Sequence, residues 1–228
     1  ATNWLGLPHN LNHRQWIAEL RERAEGKPVL FQNSYRDASK YAFYAEEPAY
    51  TFTDVDYRRN QFDIWEEEVV LHDQSALIAG RLTWKCAACE TVALSRKRYK
   101  LQVVDSLQVA QKVGVELLTP PSTPWAGDQK VELLLRLYNP YPHAIRFGKG
   151  SLPLQLGAVF YQDAVARSIP VVSLETPGLL LPAADSLRVA VYFTVPDSLA
   201  GTYQFGLGPR WGDLPPMLNS KLFEVEVD

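Results

Sequence analysis

"VLFQNSYRDASKYAFYAEEPAYTF", Val29 to Phe52, decides the fold of the first half of the chain. Val29-Leu30-Phe31-Gln32 follows Pro28 and reads as a short strand at the buried centre of a sheet. Ser34 precedes Asp37 by three residues, a capping-box start with Asp in place of the usual Glu. Ala38, Tyr41, Ala42 and Ala45 then recur at helical spacing, and Pro48 closes the helix. Tyr50-Thr51-Phe52 is a second strand. Strand, helix and strand in this order call for an α/β unit with a partly parallel sheet.

The neighbouring sequence extends that unit. Upstream, Asn12 is placed to cap a helix through Arg21, with Trp16, Ile17 and Leu20 on one face. Gly26 suits the left-handed residue that ends it. Downstream come Tyr57 to Trp65, the acidic run Glu66-Glu67-Glu68, and a strand within Ser75–Leu82 that leads into a turn.

After about residue 90 the helical period fades and short alternating segments take over. Leu101–Val104, Val113–Leu118, Lys130–Tyr138, Leu152–Phe160, Leu187–Phe193, Gly201–Leu207 and Lys221–Val227 alternate between turns. The clearest is Lys130–Tyr138, with Val131, Leu133, Leu135 and Leu137 on one side. About seven such strands make a β-sandwich. Gly201-x-Tyr203-x-Phe205 resembles the tyrosine-corner region of immunoglobulin-like sandwiches, although the disulfide and core Trp of antibody domains are missing. The expected fold class is therefore α/β plus all-β. A small α/β unit with a partly parallel sheet fills residues 1–105, and an immunoglobulin-like antiparallel β-sandwich fills 106–228.

Composition narrows the functional classes. The 228 residues are 46% hydrophobic and 21% charged, the balance of a folded globular chain. Twenty-three basic and 26 acidic side chains give 23 − 26 = −3. That balance lacks the basic face expected of a nucleic-acid binder, and no polybasic run attracts anionic lipid. No apolar stretch approaches the ~20 residues of a membrane helix. The start, Ala1-Thr2-Asn3-Trp4, has no initiator Met and no signal-like apolar core, so a segment excised from a longer parent is expected.

Catalytic signatures are absent. There is no GxSxG, HExxH, Walker or GxGxxG motif. His9, His13, His72 and His143 are scattered and read as surface or capping residues. Glu66-Glu67-Glu68 reads as a solvated face. Cys86-Ala-Ala-Cys89 has too few companions for a four-ligand zinc site. It is read as two plain thiols or a local disulfide, because a redox motif belongs at a helix N-terminus. No metal and no cofactor is expected.

Two segments carry candidate binding residues. A helix that opens at the carboxyl end of a strand offers free N–H groups to an anion, where ligands of α/β sheets commonly sit. Asn33, Ser34 and Arg36 occupy that place. Tyr57, Arg58, Arg59 and Asn60 follow the next strand, with guanidiniums able to fork onto carboxylate or phosphate and an aromatic suited to a sugar ring. The bland alternative keeps them structural: Tyr41 and Tyr44 cover the sheet, and Arg58 or Arg59 pairs with Asp37 or Asp63.

Asn33–Tyr44 together with Tyr57–Trp65 resembles the soluble C-terminal region of bacterial membrane glycosyltransferases related to the dolichyl-phosphate-mannose-protein mannosyltransferase family. The resemblance covers roughly residues 28–82; the later β-rich part agrees only in general character. It implies a parent with a multi-span membrane domain whose acidic catalytic residue lies in an early extracytoplasmic loop. Such enzymes take sugar from a polyprenyl-phosphate donor. This chain has no counterpart of that loop, so no catalytic residue is carried over. The implied role is a periplasmic, non-catalytic domain partnered with the membrane-embedded catalytic domain of its own parent. It would contact glycan or a polyprenyl-phosphate-sugar head group, and that placement would permit a Cys86–Cys89 disulfide. Two other classes stay open: a free-standing carbohydrate-active hydrolase using acids near Tyr57–Glu68, and an interaction module built on the sandwich.

Overall fold

The computed structural model describes residues 11–65 and 67–228. His9, Glu66 and the Asn12 side chain lie outside the described residues. The chain divides into two compact units, 1–52 with 60–107 and 53–59 with 108–228. The segment Thr53–Arg59 thus belongs with the β-rich second unit, and the short-range reading placed it in the first.

The first unit contains helix α1 (Leu11–Ala24), strand β1 (Val29–Gln32), helix α2 (Tyr35–Ala45), strand β2 (Ala49–Phe52), two 3₁₀ turns (Gln61–Asp63 and Glu67–Leu71), and strands β3 (Ala76–Gly80), β4 (Glu90–Ala93) and β5 (Arg98–Val104). Helix α1 starts at Leu11, one residue before the expected cap. The sheet order is β2-β1-β3-β5-β4. Strand β1 runs parallel to both neighbours, with Val29 opposite Ala49 and Leu77, while β5 is antiparallel to β3 and β4. Leu101–Val104, the first of the alternating segments and inside the 1–105 boundary, pairs in the α/β sheet.

Period-2 and period-3.6 patterns meet in one core. Val29, Phe31, Leu77, Ala79 and Leu101 of the sheet pack with Trp16, Ile17 and Leu20 of α1 and Ala38, Tyr41 and Ala45 of α2. Each large apolar side chain so buried contributes about 1.5–3 kcal/mol. The stripe that identified α2 in the sequence is the face it buries.

The second unit holds strands β6 (Gly114–Leu117), β7 (Lys130–Tyr138), β8 (Ile145–Arg146), β9 (Leu154–Gln162), β10 (Val165–Ser168), β11 (Val171–Leu174), β12 (Leu180–Leu181), β13 (Ser186–Thr194), β14 (Gly201–Trp211) and β15 (Phe223–Val227). The main sheet runs β15-β14-β9-β11-β13-β7-β6, with β10 on β9 and a separate β8–β12 ribbon. Its ladders are antiparallel. The sheet curls until β14 approaches β6, closing a β-sandwich. Strand β7 buries Val131, Leu133, Leu135 and Leu137, the side its alternation marked.

The tyrosine corner is present. The Tyr203 hydroxyl donates to the Ala200 carbonyl at 3.1 Å and lies 3.3 Å from the Ala200 N–H. This closes the turn onto the first residues of β14. Trp125, outside the named strands, is buried with Phe160, Phe193 and Phe205 around it, ring centroids 5.2–6.1 Å away. Edge-to-face pairs of this kind add about 0.5–1.5 kcal/mol each beyond burial.

Glycines shape one side of the sandwich. Gly157 and Gly208 are register partners. A β-carbon on Gly208 would overlap the Met217 carbonyl, and one on Gly157 would press on Pro216. Without side chains there, the segment after Leu214 lies flat on the sheet, with Met217 N–H donating to Pro209 O at 2.8 Å. That segment in turn holds the Thr53–Arg59 strap. Val55 N–H donates to Pro216 O at 2.9 Å and Arg59 Nη2 to Leu218 O at 3.2 Å. The Tyr161 hydroxyl donates to Val55 O at 3.3 Å.

Candidate functional site

The carboxyl end of the parallel strands is the place where the sequence puts an anion. There the protein supplies its own partners. Asn33 has φ 55°, a left-handed turn residue, and its N–H donates to Phe52 O at 2.9 Å. Ser34 N–H donates to Thr51 Oγ1 at 3.2 Å, and Thr51 Oγ1 donates to Phe31 O at 2.8 Å. The Gln32 side chain accepts the Arg81 N–H at 2.9 Å. The Ser34 hydroxyl caps α2 by accepting the Asp37 N–H at 3.3 Å.

Asp37 does not complete the reciprocal half of a capping box. Its carboxylate is buried and turned to β5, 2.8 Å from Lys97 Nζ, and accepts the Tyr99 hydroxyl at 2.9 Å. An internal carboxylate thus sits in the first turn of α2, where the helix dipole favours negative charge. Burial first, then the charge and hydrogen bond of Asp37, push the Tyr99 hydroxyl far above its ordinary range. Of the three residues nominated here, Arg36 alone is exposed, and it has no ion-pair partner among the described residues.

The second nominated segment is split between the units. Asn60 belongs to the first, where its side chain accepts Phe62 N–H at 3.0 Å and its N–H donates to Asp63 Oδ2 at 2.6 Å. These reciprocal bonds cap the first 3₁₀ turn. Tyr57, Arg58 and Arg59 belong to the second unit and are exposed. Arg59 donates from Nη2 to the Leu218 carbonyl within its own unit. Glu68 is buried, which corrects its reading as part of a solvated face.

Other candidate groups have local employment. His13 accepts from Trp16 Nε1 at 3.3 Å and lies 3.1 Å from Lys40 Nζ, tying α1 to α2. His143 stacks on Tyr141, and His72 lies 3.7 Å from Asp73. Cys86 and Cys89 form a disulfide, closing the turn after β3. Among the described residues no cluster of His, Cys, Asp or Glu is arranged to hold a metal, and no helix is long and apolar enough to cross a membrane.

The other end of the same sheet differs. A cavity of about 260 Å³ opens at the amino ends of β1, β2 and β3. Lys27 and Pro28 lead into β1, Glu47 and Pro48 into β2, and Gln74 and Ser75 into β3, while Tyr50, Val70 and Leu71 complete the wall. None of these residues carries a motif. Their common property is to stand just ahead of three parallel strands, visible only once the strand directions are known.

No family model matches the chain, and no curated protein does. Among solved structures, the chain is similar to the alkylpurine DNA glycosylase AlkC of Pseudomonas fluorescens bound to DNA containing an abasic-site analogue. The identity is 12%, and the match covers 50% of this chain and 30% of that one at a TM-score of 0.30. The chain thus spans under a third of that protein's length, and a likeness this weak carries no functional argument.

Proposed function

We propose that this chain is a non-catalytic extracytoplasmic domain of a polyprenyl-phosphate-sugar-dependent membrane glycosyltransferase. Its parent holds it on the periplasmic face of a bacterial inner membrane. There it helps bind the acceptor or the donor head group. The resemblance at Asn33–Tyr44 and Tyr57–Trp65 motivates the reading. The observation that carries it is how those segments spend their polar groups. Ser34, Asn60 and Arg59 are bound to backbone, as scaffold residues are, while Arg36, Tyr57 and Arg58 are left at the surface for contact. The Cys86–Cys89 disulfide supports an oxidising compartment.

The test uses the natural full-length gene product. It should fractionate with the inner membrane, with this domain labelled from the periplasmic side. An Arg36→Ala/Arg58→Ala variant should raise the acceptor KM severalfold and leave kcat unchanged, the signature of lost uniform binding. A cytosolic product overturns the reading, as does loss of kcat at unchanged KM. Hydrolysis of aryl glycosides by the 228-residue chain alone would replace it with the hydrolase class.

A further inference from the structure

We infer that the cavity at the amino ends of the parallel strands is a binding site for one neutral, polyhydroxylated ring of monosaccharide size. The inference stands on the cavity itself and holds whether or not the parent is a glycosyltransferase.

The first observation is Tyr50. The residue is only 9% exposed and lines the cavity, while its hydroxyl oxygen stays open to solvent there and takes no partner among the described residues. Water, or a ligand that replaces it, is what satisfies this hydroxyl in the folded protein. Nearly every other hydroxyl of a deeply buried tyrosine here is bonded: Tyr41 to Glu47, Tyr99 to Asp37, Tyr203 to Ala200 and Tyr141 to the Lys112 N–H. Burial, followed by the nearby charges of Glu67 and Glu68, holds the Tyr50 hydroxyl in its protonated form, so it remains a donor at neutral pH.

The second observation is charge. Both charged residues of the wall are already neutralised by neighbours. Glu47 Oε1 is 2.6 Å from Arg21 Nε, and Lys27 Nζ is 3.1 Å from Glu25 Oε2. Neither asks for a counter-ion from the ligand. Each Glu47 oxygen has accepted one hydrogen bond, from Arg21 or from Tyr41 at 3.1 Å, and a carboxylate oxygen can accept a second. The wall therefore offers the Tyr50 hydroxyl, the Glu47 oxygens and the Gln74 amide, which both donates and accepts. Hydroxyl groups, each donor and acceptor at once, match that set.

The third is shape. Pro28, Pro48, Val70 and Leu71 give the cavity an apolar side against which the C–H face of a ring can lie. Its 260 Å³ falls below the roughly 300–1,000 Å³ of sites for drug-sized ligands, which limits the occupant to one ring.

The experiment is an amide-resolved NMR titration of the 228-residue chain with D-glucose, D-mannose, D-galactose and N-acetyl-D-glucosamine. Glucose 6-phosphate and glucuronate serve as charged counterparts. At least one neutral sugar should shift the amides of Tyr50, Gln74 and Ser75 saturably. Tyr50→Phe should weaken that sugar about fivefold, the effect of one ordinary hydrogen bond, while its melting temperature stays at or above that of the parent chain. Four results overturn the proposal: no saturable shift from any neutral sugar, shifts confined to residues away from the cavity, tighter binding of the charged counterparts, or unchanged affinity in Tyr50→Phe. An unfolded Tyr50→Phe would also overturn it, because the hydroxyl would then have a structural partner. These outcomes are separate from the membrane and KM tests of the glycosyltransferase reading.

Discussion

The two ends of the parallel sheet in the first unit are built on opposite rules. At the carboxyl end, the polar groups of Gln32, Ser34, Asp37 and Thr51 bond to one another, to backbone or to β5. At the amino end, the hydroxyl of a largely buried tyrosine opens to a cavity without a protein partner. A general expectation puts ligands of α/β sheets at the carboxyl end. Here that end has become a structural joint, because Asp37 supplies the anion that a helix N-terminus favours. The difference teaches that an attractive binding geometry is only as available as its hydrogen-bond groups are idle.

Substitutions test that contrast in descending order of effect. Asp37→Ala removes the shared partner of Tyr99 and Lys97 and leaves a buried hydroxyl unpaired. It should lower unfolding free energy by about 3 kcal/mol in urea titrations; a change below 1 kcal/mol would mean the joint is not holding the unit. Alkaline pH attacks the same joint. Unfolded tyrosine loses its proton near pH 10, whereas the folded Tyr99 keeps it to higher pH. The folded state therefore binds more protons above pH 10. The contribution of Tyr99 is full below about pH 10 and falls above it by about 1.4 kcal/mol per pH unit. Unfolding curves at pH 8 to 11 should show this slope, and Tyr99→Phe should flatten it.

Smaller changes sharpen the comparison. Ser34→Ala deletes the N-cap of α2 and should cost about 1 kcal/mol, with loss of protection at the Asp37 amide in hydrogen exchange. Tyr50→Phe, at the other end, should be the quietest of all for stability. A melting temperature several degrees below the parent would erase the distinction between the two ends.

How much of this was legible depended on range. Ser34 as a cap and Ala38, Tyr41 and Ala45 as a buried stripe were readable because helix signals are local. The role of Asp37 was not, since Tyr99 and Lys97 lie 62 and 60 residues away. In the sandwich, β7 was plain because one of its faces is buried and the other is not. Strands β4, β10 and β11 escaped because they are short and largely exposed, with too few apolar residues to alternate. Trp125 escaped because the Pro-rich run from Thr119 to Pro124 before it reads as turn. The cavity escaped for a different reason: an unpaired hydroxyl has no sequence signal, only the absence of a partner in space.

The strap at Thr53–Arg59 makes the chain pass from one unit to the other after Phe52, back at Asn60, and over again after Leu107. The protein therefore has no single cut that yields two complete halves. A fragment beginning at residue 106 would lack Val55 and Arg59, and with them the partners of Pro216, Leu218 and Tyr161. Anyone who wishes to transplant the sandwich must bring the strap with it, by circular permutation or as a separate peptide.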